Sequence, residues 1–225
     1  MDLKTIEHAL AEYGLILLAT FHVNPDDNIP GLAGADGTLV LAGNGGPAMW
    51  HCFASQRPEP SVSDPLDTWS RRVFEKVAAQ LAGNVSALFP FHGPPYLPFQ
   101  AWASKAGNAH PSPFGPMVHD TYGLWHAYRG ALLIPSLLDL PVRQPQPSPC
   151  DACRHKPCLS ACPVDAFGPG TYDIPACVGH LASGHGESCF GKGCLARSAC
   201  PVGREFAYEE AQARFHLDTF FANHR

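Results

Sequence analysis

Long apolar runs are missing from this 225-residue chain. The stretch from Leu15 to Ala19 is far shorter than a signal-peptide core or a membrane span, so the sequence predicts a cytoplasmic protein with no membrane partner. Clustered positive charge is missing as well. With 15 Lys and Arg against 20 Asp and Glu, a net charge of -5 and no Lys/Arg-rich run, the chain offers no electrostatic footprint to a phosphate backbone or an anionic bilayer. That argues against nucleic acid as a general partner, although charge alone does not exclude a single tRNA-like substrate. Disorder is not the default either, because 45% hydrophobic and 16% charged residues suffice for one globular core plus a small appended module.

Cysteine is almost absent from the front of the chain and crowded at the back. Cys52 alone precedes Pro149, and the other eight lie from Cys150 to Cys200. In a reducing compartment such cysteines serve as metal ligands or redox groups rather than as disulfides. The first group reads Cys150-x2-Cys153-x4-Cys158-x3-Cys162-Pro163, an enlarged form of the bacterial ferredoxin run C-x2-C-x2-C-x3-C-P. In that run three thiolates grip one iron–sulfur cube and the fourth, followed by proline, reaches the other. The second group is Cys177, then Cys189-x4-Cys194-x5-Cys200-Pro201. Crossed ligation predicts one [4Fe–4S] cluster on Cys150, Cys153, Cys158 and Cys200, and another on Cys162, Cys177, Cys189 and Cys194. Two four-cysteine zinc sites would satisfy the same count, but zinc ribbons have no need of proline after the last ligand. Cys52, beside Trp50 and His51, reads as an ordinary core thiol.

The expected organisation follows from this asymmetry. Residues 1–140 form an α/β domain, 141–149 a proline-rich joint, 150–204 a two-cluster module and 205–225 a terminal helix. In the front domain, helical spacing in Leu3, Ile6 and Leu10 is followed by strands at Leu15–Phe21 and Thr38–Ala42. Ala48–Phe53 opens a short helix, and Ser63 or Asp64 caps a longer one carrying Leu66, Trp69, Val73 and Val77. Val85–Phe91 reads as a strand, Phe99–Ala106 as a helix and Ala131–Ile134 as a strand. The fold class is therefore α+β, a layered sheet covered by helices and followed by a small ferredoxin-like module, with strand direction left open. The turn Gly43-Asn44-Gly45-Gly46 could present amides to a phosphate, or could be a plain turn.

The densest chemistry outside the cysteines runs from His119 to Gly130. Tyr122, Trp125 and Tyr128 supply aromatic faces, Gly123 and Gly130 permit close approach, and Arg129 can bind a polar edge, as in a loop around a large planar ligand. A surface hairpin with a few core aromatics fits the same composition. The pattern Tyr122-Gly123-x-Trp125-x3-Arg129-Gly130-x4-Pro135, with His119 upstream, resembles the CblC-type cobalamin-processing proteins, and the likeness extends through Val40-Leu41 to Pro47-Ala48-Met49. The cysteine module is similar to that of epoxyqueuosine reductase and the reductive dehalogenases. These resemblances imply a nitroreductase-like scaffold and two [4Fe–4S] clusters beside a cobalamin, with His119, Tyr122, Gly123, Trp125, Arg129 and Gly130 around the corrinoid. Asp120 stands where CblC-type proteins have proline. By analogy with the acid of epoxide reduction, it and His119 become the catalytic candidates, although an aspartate also opens turns.

The reading that results is an oxidoreductase. Electrons from an external donor such as a flavodoxin, a ferredoxin or a reductase would pass through the clusters to cobalamin, which either loses its upper ligand or reduces a small organic substrate. The alternative is a ferredoxin-type electron carrier without cobalamin.

Overall fold

Asp2 starts the first helix, α1 (Leu3–Ala11), by accepting the Thr5 amide at 2.9 Å, and Ile6 and Leu10 turn inward from it. A computed structural model describes the chain except residues 28, 33–35, 60–61, 143, 145 and 169. By contact density the chain divides into two units. One comprises Met1–Asn108 and His126–Gln146; the other comprises Ala109–Trp125 and Pro147–Arg225. Residues 109–125, grouped by the sequence with the front domain, thus cluster with the cysteines. Within the joint, Arg143 and Pro145 lie outside the described residues.

In the sheet unit, α1 is followed by β1 (Ile16–Val23), β2 (Gly37–Gly45), α2 (Ala48–Ser55), α3 (Pro65–Gln80), β3 (Ser86–Leu88) and α4 (Phe99–Ala106). The chain then leaves for β4 (Ala109–His110) and β5 (Val118–His119) of the other unit and returns as β6 (His126–Ile134). The sheet order is β1-β2-β6-β3 and every pairing is antiparallel. Leu39, Val40 and Leu41 stand opposite Leu133, Leu132 and Ala131, and β2 is buried almost throughout, as expected of a strand covered on both faces. Helix α3 supplies Trp69, Val73, Phe74 and Val77 to the core. Asp64 stands at its N-terminus but makes no side-chain cap.

Three sequence expectations change here. Strand β6 begins at His126, so Tyr128, Arg129 and Gly130 are strand residues rather than part of a loop. The glycine turn is mostly strand: Gly43 and Asn44 pair with Tyr128 and Ala127, which leaves no open cradle of amides. The expected terminal helix starts later, because Arg204–Phe206 makes a separate 3-10 turn.

The cysteine unit is built from small pieces. They are α5 (Pro149–Ala152), α6 (Pro157–Ser160), the hairpin β7 (Phe167–Gly168) and β8 (Thr171–Tyr172), α7 (Ile174–Ala182), α8 (Glu187–Lys192), α9 (Leu195–Ser198) and α10 (Glu210–His224). Two apolar clusters hold them. One joins Phe114, Val118 and Leu124 to Phe167, Cys158, Cys162 and Cys200; the other joins Leu181, Cys189 and Phe190 to Leu217, Phe220 and Phe221 of α10. The mixture of helix and antiparallel sheet makes the protein α+β. Among the described residues no helix is long and apolar enough to cross a membrane.

Candidate cysteine centre and adjoining cavity

All nine cysteines are free thiols. Six of the eight in the cysteine unit lie in or beside short helices: Cys150 in α5, Cys153 just after it, Cys158 in α6, Cys177 in α7, Cys189 in α8, and Cys194 immediately before α9. Their mutual electrostatics divides them. Burial pushes the Cys158 thiol up, and Cys200, Cys150 and Cys153 push it in the same direction. Burial also raises Cys150, opposed by a bond from Ser148, with Cys200 and Cys153 adding to the rise. In the other set, burial raises Cys177 and Cys189; Cys162 adds to both, and Cys177 to Cys189. Cys194 is pushed up to about 11, chiefly by burial, with Cys177 adding to the rise. These influences run among Cys150, Cys153, Cys158 and Cys200 on one side and among Cys162, Cys177, Cys189 and Cys194 on the other.

Donors surround the second set. The Ala166 amide approaches Cys162 Sγ at 3.4 Å, and the Arg197 and Ala196 amides beside Cys194 and the Tyr172 phenol beside Cys177 oppose the rise that burial causes in those thiols. Cys162, Cys177, Cys189 and Cys194 jointly line one small cavity of about 20 Å³. Among the described residues no three His, Cys, Asp or Glu side chains meet the spacing for a single metal ion. Four thiolates on four different irons of a cube stand farther apart than four sharing one zinc at about 2.3 Å.

Of the residues singled out around the expected pocket, His119, Asp120, Tyr122, Gly123 and Trp125 belong to the cysteine unit. His119 and Gly123 exchange backbone hydrogen bonds, both 2.9 Å, which closes a tight turn. Buried His119 accepts the Thr121 and Tyr122 amides at Nδ1, 3.1 and 3.4 Å away. Gly123 is required by two constraints: its φ is +55°, and a Cβ would lie 2.0 Å from the Val202 carbonyl oxygen, just after Cys200-Pro201. Asp120 Oδ1 lies 3.0 Å from His110 Nε2. This Asp–His pair was missed in the sequence because it depends on a two-residue strand pairing, Ala109 with His119 and His110 with Val118.

Arg129 and Gly130 belong to the sheet unit. The Arg129 guanidinium pairs with Asp67 and bonds Ser70 Oγ at 3.2 Å, both on α3, while Gly130 leaves room for the Phe74 ring. Each has a packing role there.

A larger cavity of about 400 Å³ lies inside the cysteine unit. Phe114, Trp125, Phe167, Tyr172, Tyr208 and Phe220 wall it, and Cys177 and Cys194 of the second set reach it. Arg197 braces one side by donating from Nε and Nη2 to the Leu124 carbonyl at 2.8 and 2.6 Å, with its guanidinium carbon 4.6 Å from the Tyr208 ring centre. The buried Trp125 Nε1–H has no acceptor among the described residues.

The fold and site define a two-part α+β protein with a sheet unit and a unit carrying eight of the nine cysteines. Among solved structures, the fold is similar to that of a C. elegans B12-trafficking protein, CblC, a homologue of human MMACHC, with a TM-score of 0.55, 15% identity, and coverage of 95% of this chain and 89% of that one. It is also similar to epoxyqueuosine reductase crystallised with an epoxyqueuosine-modified tRNA-Tyr stem loop, with a TM-score of 0.53, 15% identity, and coverage of 92% and 66%. The chain therefore spans just under two thirds of that reductase. Both are kinds of protein that the sequence motifs resemble, and at this identity the likeness is one of fold. No protein-family model and no curated protein matches the sequence.

Proposed function

We propose that this protein is an iron–sulfur reductase, a nitroreductase-like sheet domain joined to a ferredoxin-like module that holds two [4Fe–4S] clusters. The eight cysteines of one small unit, four of them, Cys162, Cys177, Cys189 and Cys194, around a single small cavity, carry this reading. Cys150, Cys153, Cys158 and Cys200 would hold one cluster, and Cys162, Cys177, Cys189 and Cys194 the other. Such clusters supply one-electron transfer at potentials set by burial and by hydrogen bonds to sulfur. The chain's own contribution is to bury the thiols and to aim the amides of Ala166, Ala196 and Arg197 and the Tyr172 phenol at the second set. The electrons would come from an external flavodoxin, ferredoxin or reductase.

The acceptor in this reading is cobalamin, either as a substrate losing its upper ligand or as the cofactor that reduces a small organic molecule. The motif from His119 to Pro135 and the fold likeness to a B12-trafficking protein support it. The 400 Å³ cavity is of drug-sized scale and too small for a corrinoid with its nucleotide tail, so the corrinoid is not assigned to it. Asp120 and His110 can hold a proton between Oδ1 and Nε2, which keeps Asp120 as the candidate acid. For Arg129 to serve a ligand, it would have to give up Asp67. The charge argument against nucleic acid gives way here. A reductase of similar fold has been crystallised with a tRNA stem loop, so a modified nucleoside in RNA belongs among the substrates to be tried.

Anaerobic absorption titration of the iron-loaded protein with hydroxocobalamin tests the acceptor. Saturable binding, with a shift of the cobalt bands as the lower base leaves, is expected. Failure to bind at high micromolar concentration leaves the ferredoxin-type carrier.

A further inference from the structure

Arg197 carries a positive charge that no carboxylate answers. Its Nε and Nη2 both donate to the Leu124 carbonyl, at 2.8 and 2.6 Å. Its guanidinium carbon lies 5.4 Å from the Trp125 ring centre and 4.6 Å from that of Tyr208, whose hydroxyl is 3.4 Å from Nη2. All these partners are neutral, and among the described residues no Asp or Glu forms an ion pair with Arg197. Arg129 and Arg214, by contrast, pair with Asp67 and with Glu187 and Asp218. A half-buried guanidinium ordinarily has an anion beside it.

The thiols next to it can supply that anion. Cys194 stands at the start of α9, which carries Arg197, and Arg197, Cys177 and Cys194 all line the cavity of about 400 Å³. Burial raises the Cys194 thiol, and the Arg197 charge is among the influences that oppose the rise. Among the described lining residues Arg197 is the only Lys, Arg, Asp or Glu, and His216 is the one other basic side chain. Aromatic walls screen a charge less than water does, so its influence reaches across such a space. A cube held by four thiolates is a net anion and becomes more negative on taking up an electron. A fixed cation beside two of its ligands therefore favours the reduced form.

We propose that Arg197 tunes the cluster of Cys162, Cys177, Cys189 and Cys194, its fixed and uncompensated charge raising the reduction potential of that cluster. The inference rests on the iron–sulfur reading and adds to it one charge with a stated place. Arg197 is a positioning residue in both directions: the Leu124 carbonyl and the Trp125 and Tyr208 rings hold the guanidinium, and the guanidinium acts on the cluster through its field. The step it biases is the uptake of one electron from the external donor, with no bond made or broken. The other four thiols have cations of their own, Lys156 bonded to the Cys150 carbonyl and Arg204 bonded to that of Cys200 at 3.3 Å, so their cluster should not respond to Arg197.

The test is an anaerobic redox titration of the full-length, iron-loaded chain with dithionite, at constant pH and ionic strength, followed by electron paramagnetic resonance. The signal altered in Cys177→Ala protein marks the second cluster. Arg197→Gln keeps a polar side chain without the charge, and should shift the reduction equilibrium of that cluster about tenfold toward the oxidised form, a fall of about 59 mV for one electron. The other cluster should keep its potential. Arg197→Lys keeps the charge without the fork and should retain most of the potential. Arg197→Met repeats the measurement should Arg197→Gln fail to hold iron. Iron and sulfide analysis of the unmutated chain decides the cluster reading by itself. With clusters present, an unchanged potential in the neutral variants, an equal fall in Arg197→Lys, an equal fall in both clusters, or loss of iron from both neutral variants would overturn the proposal.

Discussion

The two units are held together by different physics. In the sheet unit Phe53, Trp69, Phe74, Leu39, Leu41 and Leu132 are fully buried, and long antiparallel ladders join β1, β2 and β6. Burial on that scale sustains a fold unaided. In the cysteine unit α5, α6 and α9 are four residues each, the strands are two residues each, and both apolar clusters include cysteines. Helices this short are not stable on their own. Small units of this kind draw folding free energy from whatever their thiolates bind. On the proposed reading the first unit has a core of its own, and the second would draw stability from what its thiolates bind.

The largest effect expected from this contrast is on removal of metal. Chelation of the anaerobic protein should release the amides of α5 to α9 to rapid hydrogen exchange, while β2 and β6 stay protected. Equal loss of protection in both units would erase the distinction. Replacement of Cys162 by Ala is next. Crossed ligation predicts damage to the set of Cys177, Cys189 and Cys194, while Cys150, Cys153, Cys158 and Cys200 keep theirs. Electron paramagnetic resonance of the reduced protein should show one of two cluster signals lost, and loss of the other signal would refute the crossing.

Smaller effects should stay inside the sheet unit. Phe74 is fully buried, packs edge-on against Phe89 and fills the space above Gly130. Phe74→Ala should cost about 3–5 kcal/mol in denaturant unfolding of the sheet, with iron content unchanged. Arg129→Ala removes a partly buried ion pair with Asp67, and solvent screening reduces its effect to about 1 kcal/mol. If that variant instead lost iron, Arg129 would matter beyond its own unit.

Legibility in the sequence followed the range of the interactions. Helix α4 matches its expected span because its signals are local. Long-range pairings left no such record. Arg129 meets Asp67 and Ser70 from another element, and Gly43 is drawn into β2 by its pairing with β6, so glycines read as a turn became part of the sheet. Residues 109–125 sort with the cysteines through contacts such as that of Gly123 with Val202, far along the chain. The His110–Asp120 pair was hidden by the shortness of β4 and β5.

The central claim, that eight thiols form two cradles for iron–sulfur cubes, is tested most directly by iron and acid-labile sulfide analysis of protein purified and reconstituted without oxygen. About eight irons and about eight sulfides per chain are expected from four cysteines per cube. Stoichiometric zinc with negligible iron would contradict it.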